Sequence, residues 1–219
     1  MSEQQRVAVI VAGGSGMGAA AARKLHEAGF AIGILSSSGK GEALAHALGG
    51  VGVTGSNQNV ADLQKLVDAV VQRWGRIDVL VNGAGHGPKG KLLEISDADW
   101  IKGLEVYFLN VVRATRLVAP LMQKQGGGAI INISTAWAFE PSALFPTSAM
   151  ARSGLAAFTK IFCDEYGAHN IRMNNVLPGW IDSLPGTDER RDSVPLKRYG
   201  SSEEVAYITD KHISTGMQA

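Results

Sequence analysis

The sequence predicts an α/β fold, a doubly wound parallel sheet built as a single domain over residues 1–219. Three observations carry that expectation. Apolar runs such as Val7-Ala8-Val9-Ile10-Val11 and Ala129-Ile130-Ile131-Asn132-Ile133 are near-continuous rather than alternating, as strands covered on both faces are. Stretches of helical length separate them. The chain's 27 glycines stand at the ends of the apolar runs, where a strand must turn into a helix, instead of forming low-complexity tracts. At 219 residues the chain is one good-sized domain and too short for two ordinary ones.

Taken in order, Val7–Val11 reads as the first strand and runs into Gly13-Gly14-Ser15-Gly16-Met17-Gly18. An Ala-rich helix from Ala19 to Ala28 closes at Gly29, a normal C-terminal glycine. Ala31–Leu35 repeats the strand pattern and ends in Ser36-Ser37-Ser38-Gly39. A short helix (Glu42 to Leu48), a strand (Val51–Val53) and a helix from about Ala61 to Trp74 follow, then a strand at Ile77–Val81 and a glycine-rich turn. Ser96-Asp97-Ala98-Asp99 has the form of a capping box and starts a long helix towards Met122. Ala129–Ile133 is the next strand, Thr147–Tyr166 the next helix, and Ile171–Leu177 the last clear strand.

Lys+Arg 21 against Asp+Glu 20 leaves a net charge of +1, so neither a basic surface for nucleic acid nor an acidic tail is expected. The lone Cys163 excludes an intrachain disulfide framework and fits a reducing, cytoplasmic setting. No apolar run approaches the roughly 20 residues that span a bilayer, and the N-terminus enters a strand-like run without a signal-peptide core. No carboxylate–histidine spacing points to a metal. His26 and His46 are expected at the surface, and Cys163 in packing.

In such a sheet ligands sit at the carboxyl ends of the strands. Gly14-Ser15-Gly16-Met17-Gly18-Ala19 fits G-x-G-x-x-A between a strand and a helix. Its glycines let backbone approach a pyrophosphate, whose charge meets the free N–H groups at the helix start. A plain strand-to-helix turn is the bland alternative. The end of the second strand bears on which nucleotide. NAD sites place a carboxylate there for the ribose hydroxyls; here Ser36, Ser37, Ser38 and Lys40 offer hydroxyls and an ammonium, which suits the 2′-phosphate of NADP, with NAD second and a merely flexible Ser/Gly turn as the alternative.

Several motifs in register resemble the short-chain dehydrogenase/reductase family over nearly the whole chain. Val81-Asn82-Gly83-Ala84-Gly85 is similar to the family's Asn-Asn-Ala-Gly turn. Asn132-Ile133-Ser134-Thr135 resembles the end of the fifth strand, and Leu177-Pro178-Gly179-Trp180-Ile181-Asp182-Ser183 the Pro-Gly segment over the nicotinamide, with Ser183 at the usual threonine. Glu203-Glu204-Val205-Ala206 resembles the start of the late helix. The resemblance implies cofactor contacts at Gly13 to Gly18, Ser36 to Ser38, Lys40, Asn82 to Gly85, Arg152, Pro178, Gly179, Ile181 and Ser183. It also implies a small carbonyl or alcohol substrate.

The departures are as informative. Where the family's loop opens Thr-Gly, this chain has Val11-Ala12, or Ala12-Gly13 if the loop is one residue short. The family's catalytic positions carry Thr135 for Ser, Ser148 for Tyr, Arg152 for Lys and Tyr107 for Asn, with Asn110 one turn after it. Two readings follow. In one, the site is rebuilt: Tyr107 acts as acid or relay, Ser148 and Thr135 bind the substrate oxygen, and Arg152 keeps the cation, although its fork does not copy an ammonium. In the other, the chain binds the nucleotide without efficient hydride chemistry and serves as a sensor or structural partner.

Trp137, Phe139, Phe145 and Trp180 are expected near the pocket and point to an apolar or aromatic substrate, and His86 to its mouth. The C-terminal segment 207–219 is atypical: Tyr207-Ile208-Thr209 resembles the family's turn before a final strand, but that strand's sequence does not follow. A weak, shifted or absent seventh strand is expected, with a homodimer through the helices at Trp100–Met122 and Thr147–Tyr166, and a tetramer second.

Overall fold

Six parallel strands occur in the computed structural model, which describes residues 5–214: β1 (Val7–Val11), β2 (Ala31–Ser36), β3 (Val51–Thr54), β4 (Val79–Asn82), β5 (Gly128–Ile133) and β6 (Ile171–Val176). Their order across the sheet is β3-β2-β1-β4-β5-β6. Ile10 pairs with Ile34 of β2 on one side and Val81 of β4 on the other. The order therefore reverses at β1, and a crevice opens between β1 and β4 at their carboxyl ends.

The strands read as continuous apolar runs because both faces are covered. Val7, Val9 and Val11 enter one core with Leu66, Val70, Val118, Met122 and Phe162, from α3 (Val60–Trp74), α5 (Asn110–Gln125) and α6 (Pro146–Tyr166). Ala8 and Ile10 point the other way, to Ala21, Leu25, Leu44 and Val205 of α1 (Gly16–Glu27), α2 (Gly39–Ala47) and α8 (Ser202–Ser214). The period of two in the strands meets helical stripes on both sides. Each wholly buried Ile or Leu contributes about 1.5–3 kcal/mol. In α3, Leu63, Leu66, Val67 and Val70 form the buried stripe, Asn59 caps the Ala61 N–H, and Gly75 ends the helix at φ +74.

Two readings of the sequence need correction. The helix that starts at Ser96 is not continuous: α4 (Asp97–Leu104) and α5 are joined by a π-helical turn at Glu105–Leu109. That turn carries Tyr107, whose ring packs so closely on Gly87 that any side chain there would collide with it. Second, Tyr207, Ile208 and Thr209 are not a turn. They lie inside α8, where the buried Thr209 hydroxyl donates to the Val205 carbonyl at 2.8 Å. Arg172 holds the end of that helix by donating to the His212 and Ile213 carbonyls. Among the described residues no seventh strand follows β6, and positions 215–219 of the atypical segment lie outside them. A short α7 (Asp188–Ser193) completes the elements.

Candidate active site

At the switch point a cleft of about 390 Å³ runs across the carboxyl ends of β1, β2, β4 and β5. Its floor is the turn after β1. Gly18 presses on the first backbone of that turn, since a Cβ there would stand 2.5 Å from the Ala12 carbonyl oxygen. Gly16 has φ +51, and a Cβ on it would meet Ser183 at 3.0 Å. Ala12 itself adopts φ +59, the left-handed conformation that the family's glycine would supply.

Two helices begin at this cleft, and neither uses its own cap. Ser15 is the N-cap of α1 and Ser38 that of α2, yet neither side chain bonds a first-turn N–H. By contrast Asn59, Ser96 and Thr187 cap α3, α4 and α7 with their side chains. Both starts at the cleft thus present backbone donors and the positive end of a helix dipole to it. The Ser36 hydroxyl is spent on shaping the turn: it donates to the Ser38 carbonyl at 3.0 Å and accepts the Ser38 N–H at 3.3 Å. Ser37 and Ser38 are exposed along the lip. Among the described residues no carboxylate lines the cleft, while Lys102 and Arg152 do.

Arg152 closes the inner end. It is buried, its Nη1 donates to the Ile133 carbonyl at 2.6 Å, and its Nε has no hydrogen-bond partner. Burial without a carboxylate pulls its pKa down to about 10, with the nearby Tyr107 acting in the opposite direction. The guanidinium therefore stays charged at neutral pH, stacked 4.9 Å from the centre of the Tyr107 ring. The Tyr107 oxygen accepts the Gly87 N–H at 2.6 Å. Asn110 is buried and donates to the Gly83 carbonyl at 3.1 Å, which fixes the turn after β4. Ser134, at the end of β5, has a buried hydroxyl without a partner.

Of the residues singled out from the sequence, Gly14 to Gly18, Ser36 to Ser38, Gly83 to Gly85, Arg152 and Ser183 line the cleft, and exposed His86 does too. Gly13, Lys40, Asn82, Pro178, Gly179 and Ile181 do not. Gly13 sits against Ile10 and Ile34, and Asn82 donates to Asn132 within the sheet. Tyr107, Thr135 and Ser148 are buried beside the inner end and do not line it. Phe139 is exposed and stands apart from the cluster of Trp137, Phe145 and Trp180.

The sequence reading missed the loop after β3. Gly55, Ser56, Asn57 and Gln58 line the cleft, and Lys102 reaches from α4 to donate to Gln58 Oε1 at 2.7 Å. Arg113, paired with Glu105, holds the Gln58 carbonyl from behind. The signal was available: the same rule that draws ligands to strand ends applies to β3 as to β1.

A model of the family described as short chain dehydrogenase matches residues 6–193. The 3-oxoacyl-[acyl-carrier-protein] reductase FabG of Thermotoga maritima is 34% identical over 161 residues, which cover 68% of this chain and 65% of that protein, just under two thirds of its length. Human dehydrogenase/reductase SDR family member 4 is 30% identical over 220 residues, 93% of this chain and 79% of that one. The solved L-sorbose reductase from Gluconobacter frateurii, complexed with NADPH and L-sorbose, superposes with TM-score 0.88 at 26% identity, covering 96% of this chain and 90% of that one. Acetoin dehydrogenase YohF from Salmonella typhimurium gives 0.85 at 30% identity, covering 97% and 91%. The match over most of the chain, the strand order and the cleft at the β1/β4 switch point agree, and the chain belongs to the short-chain dehydrogenase family.

Proposed function

We propose that the protein is an NADP(H)-dependent oxidoreductase acting on a small carbonyl or alcohol substrate. The observation that carries this reading is the pair of uncapped helix starts on a cleft with no carboxylate in its lining. Gly14, Ser15, Gly16, Met17 and Gly18 would hold the pyrophosphate at α1. Ser37 and Ser38, with the start of α2, would hold the 2′-phosphate, and the lack of a carboxylate removes the charge that would repel it. The bound nicotinamide supplies hydride transfer to or from carbon.

The protein's own part is to place the substrate oxygen and move one proton. In the reductive direction the Tyr107 phenol would give its proton to the substrate's carbonyl oxygen, and solvent would return a proton to Tyr107. The charge left on the Tyr107 oxygen is met by the Gly87 N–H and by the Arg152 guanidinium over the ring. Thr135 and Ser148 donate to the substrate oxygen. Arg152, whose buried Nε has no hydrogen-bond partner, would also orient the nicotinamide ribose.

A second reading, nucleotide binding without efficient turnover, draws on one observation: Tyr107, Thr135 and Ser148 stay outside the cleft lining. Titration of the protein with NADPH and NADH, followed by a carbonyl screen for NADPH consumption, separates the two. NADPH binding well above NADH binding supports the cofactor assignment, and binding of neither removes it. Binding with no consumption of NADPH across the screen favours the second reading. A homodimer through the faces of α4, α5 and α6, where Ile101, Met150 and Ile161 are exposed, is the assembly that fits this reading.

A further inference from the structure

Three rings from three different segments meet in a cluster that does not itself line the cleft. Trp137 follows β5, Phe145 precedes α6, and Trp180 follows β6. Trp137 lies 4.8 Å from each of the other two, centre to centre, and Phe145 and Trp180 are 5.8 Å apart. Two of these segments also carry Thr135, two residues before Trp137, and Ser148, three residues after Phe145.

Two cations rest on this cluster. The Lys89 ammonium is 4.6 Å from the centre of the Phe145 ring, and the Arg190 guanidinium carbon is 4.7 Å from that of Trp180. Neither forms an ion pair among the described residues, although α7 itself carries Asp188 and Glu189 beside Arg190. Both are held in place through backbone that is tied down. The Thr147 hydroxyl donates to the Pro88 carbonyl at 2.7 Å, which fixes the loop carrying Lys89 to the start of α6. The segment carrying Arg190 is closed at its base by the Ile181–Gly200 bridge and by Tyr199, whose hydroxyl accepts the Thr187 N–H and donates to its carbonyl. An apolar ring cluster with two cations over it that pair with no carboxylate among the described residues, on the segments that carry Thr135 and Ser148, matches a ligand that is flat and apolar in body and anionic at one end.

We propose that the substrate is a carbonyl compound with an aromatic or comparably flat body and a single anionic group, the ring cluster taking the body and Lys89 and Arg190 the charge. The proposal rests on the oxidoreductase reading and names the substrate class of the same site. The reaction balances as carbonyl plus NADPH plus one proton giving alcohol plus NADP⁺.

The probes are 4-carboxybenzaldehyde and its neutral methyl ester, methyl 4-formylbenzoate, each measured for NADPH-dependent reduction and, separately, for equilibrium binding to the NADPH-loaded protein by calorimetry. The acid is expected to exceed the ester at least tenfold in kcat/KM and in affinity, and the Lys89→Gln/Arg190→Gln double variant should bring the ratio below about threefold. An acid-to-ester ratio near one in the unmodified protein overturns the proposal, and so does a preference that survives the double variant. Turnover of both probes without preference removes the substrate class and leaves the oxidoreductase reading intact. Selective binding of the acid with no turnover of either keeps the anion site, overturns its assignment to a substrate and favours nucleotide binding without turnover.

Discussion

The Arg152 guanidinium stacks on the Tyr107 ring at 4.9 Å, joining a residue of α6 to one in the π-turn before α5. In the proposed reading these two residues stand where the family pattern has a lysine and an asparagine. Tyr107→Phe keeps the ring under Arg152 and removes only the hydroxyl. Loss of a positioned general acid lowers kcat by about 10²–10⁴-fold, while the NADPH affinity should stay within about twofold, because ring stacking on Arg152 is unchanged. Reduction at an undiminished rate would take the acid role from Tyr107.

Arg152 is charged, buried and without a carboxylate, so it should stabilise function at the expense of the fold. Burial pulls its pKa down to about 10, below that of the free side chain. Between those values the unfolded chain binds more protons than the folded one, so this group's contribution to stability rises as pH climbs through that window and its full penalty is present at pH 7. Arg152→Met should therefore raise the unfolding free energy, by on the order of 1–3 kcal/mol, while NADPH binding weakens about 10- to 100-fold with the lost charge-assisted bond. Denaturant unfolding and calorimetric titration of the same preparation read both. A variant that is less stable and binds NADPH normally would make Arg152 a structural cation.

Ala12 carries strain that the sequence could have avoided. At φ +59 an alanine costs about 1–2 kcal/mol relative to an allowed conformation. Ala12→Gly removes that cost and adds about 0.4–1 kcal/mol of unfolded-state entropy. A net gain of roughly 0.5–1 kcal/mol should raise Tm by about 1–4 °C in a domain of this size. A lower Tm would mean that the Ala12 methyl, packed 3.4 Å from where a Gly83 side chain would begin, holds the two turns together more than its backbone strains them.

The strands and most helices were legible because their signals are local: continuous apolar runs, glycines at φ above zero such as Gly29 and Gly75, and caps such as Asn59 and Ser96. Three features were not. The π-turn leaves no composition signal; it arises where Tyr107 must fit beneath Gly87, a contact across 20 residues. Tyr207-Ile208-Thr209 matched a family turn in letters, but α8 buries Thr209 and Val205 against the sheet, and burial of that face decided the outcome. The role of Gln58 depends on Lys102 and Arg113, which approach it from 44 and 55 residues away. No spacing rule along the chain brings those three together.

Ser37 offers a direct test of the nucleotide assignment. It is exposed on the lip of the cleft, one residue before the uncapped start of α2, and no acid is present among the lining residues to share its role. A carboxylate at that position would accept both ribose hydroxyls of NADH and repel the 2′-phosphate of NADPH. Two like charges about 4 Å apart at a protein surface repel by roughly 4 kcal/mol before salt screening. Ser37→Glu should therefore weaken NADPH binding by at least tenfold and strengthen NADH binding, reversing the preference when both are titrated at one ionic strength. The NADPH loss should shrink in high salt, since it is electrostatic. Unaltered NADPH affinity would place the 2′-phosphate away from this lip and return the assignment to an undivided NAD(P).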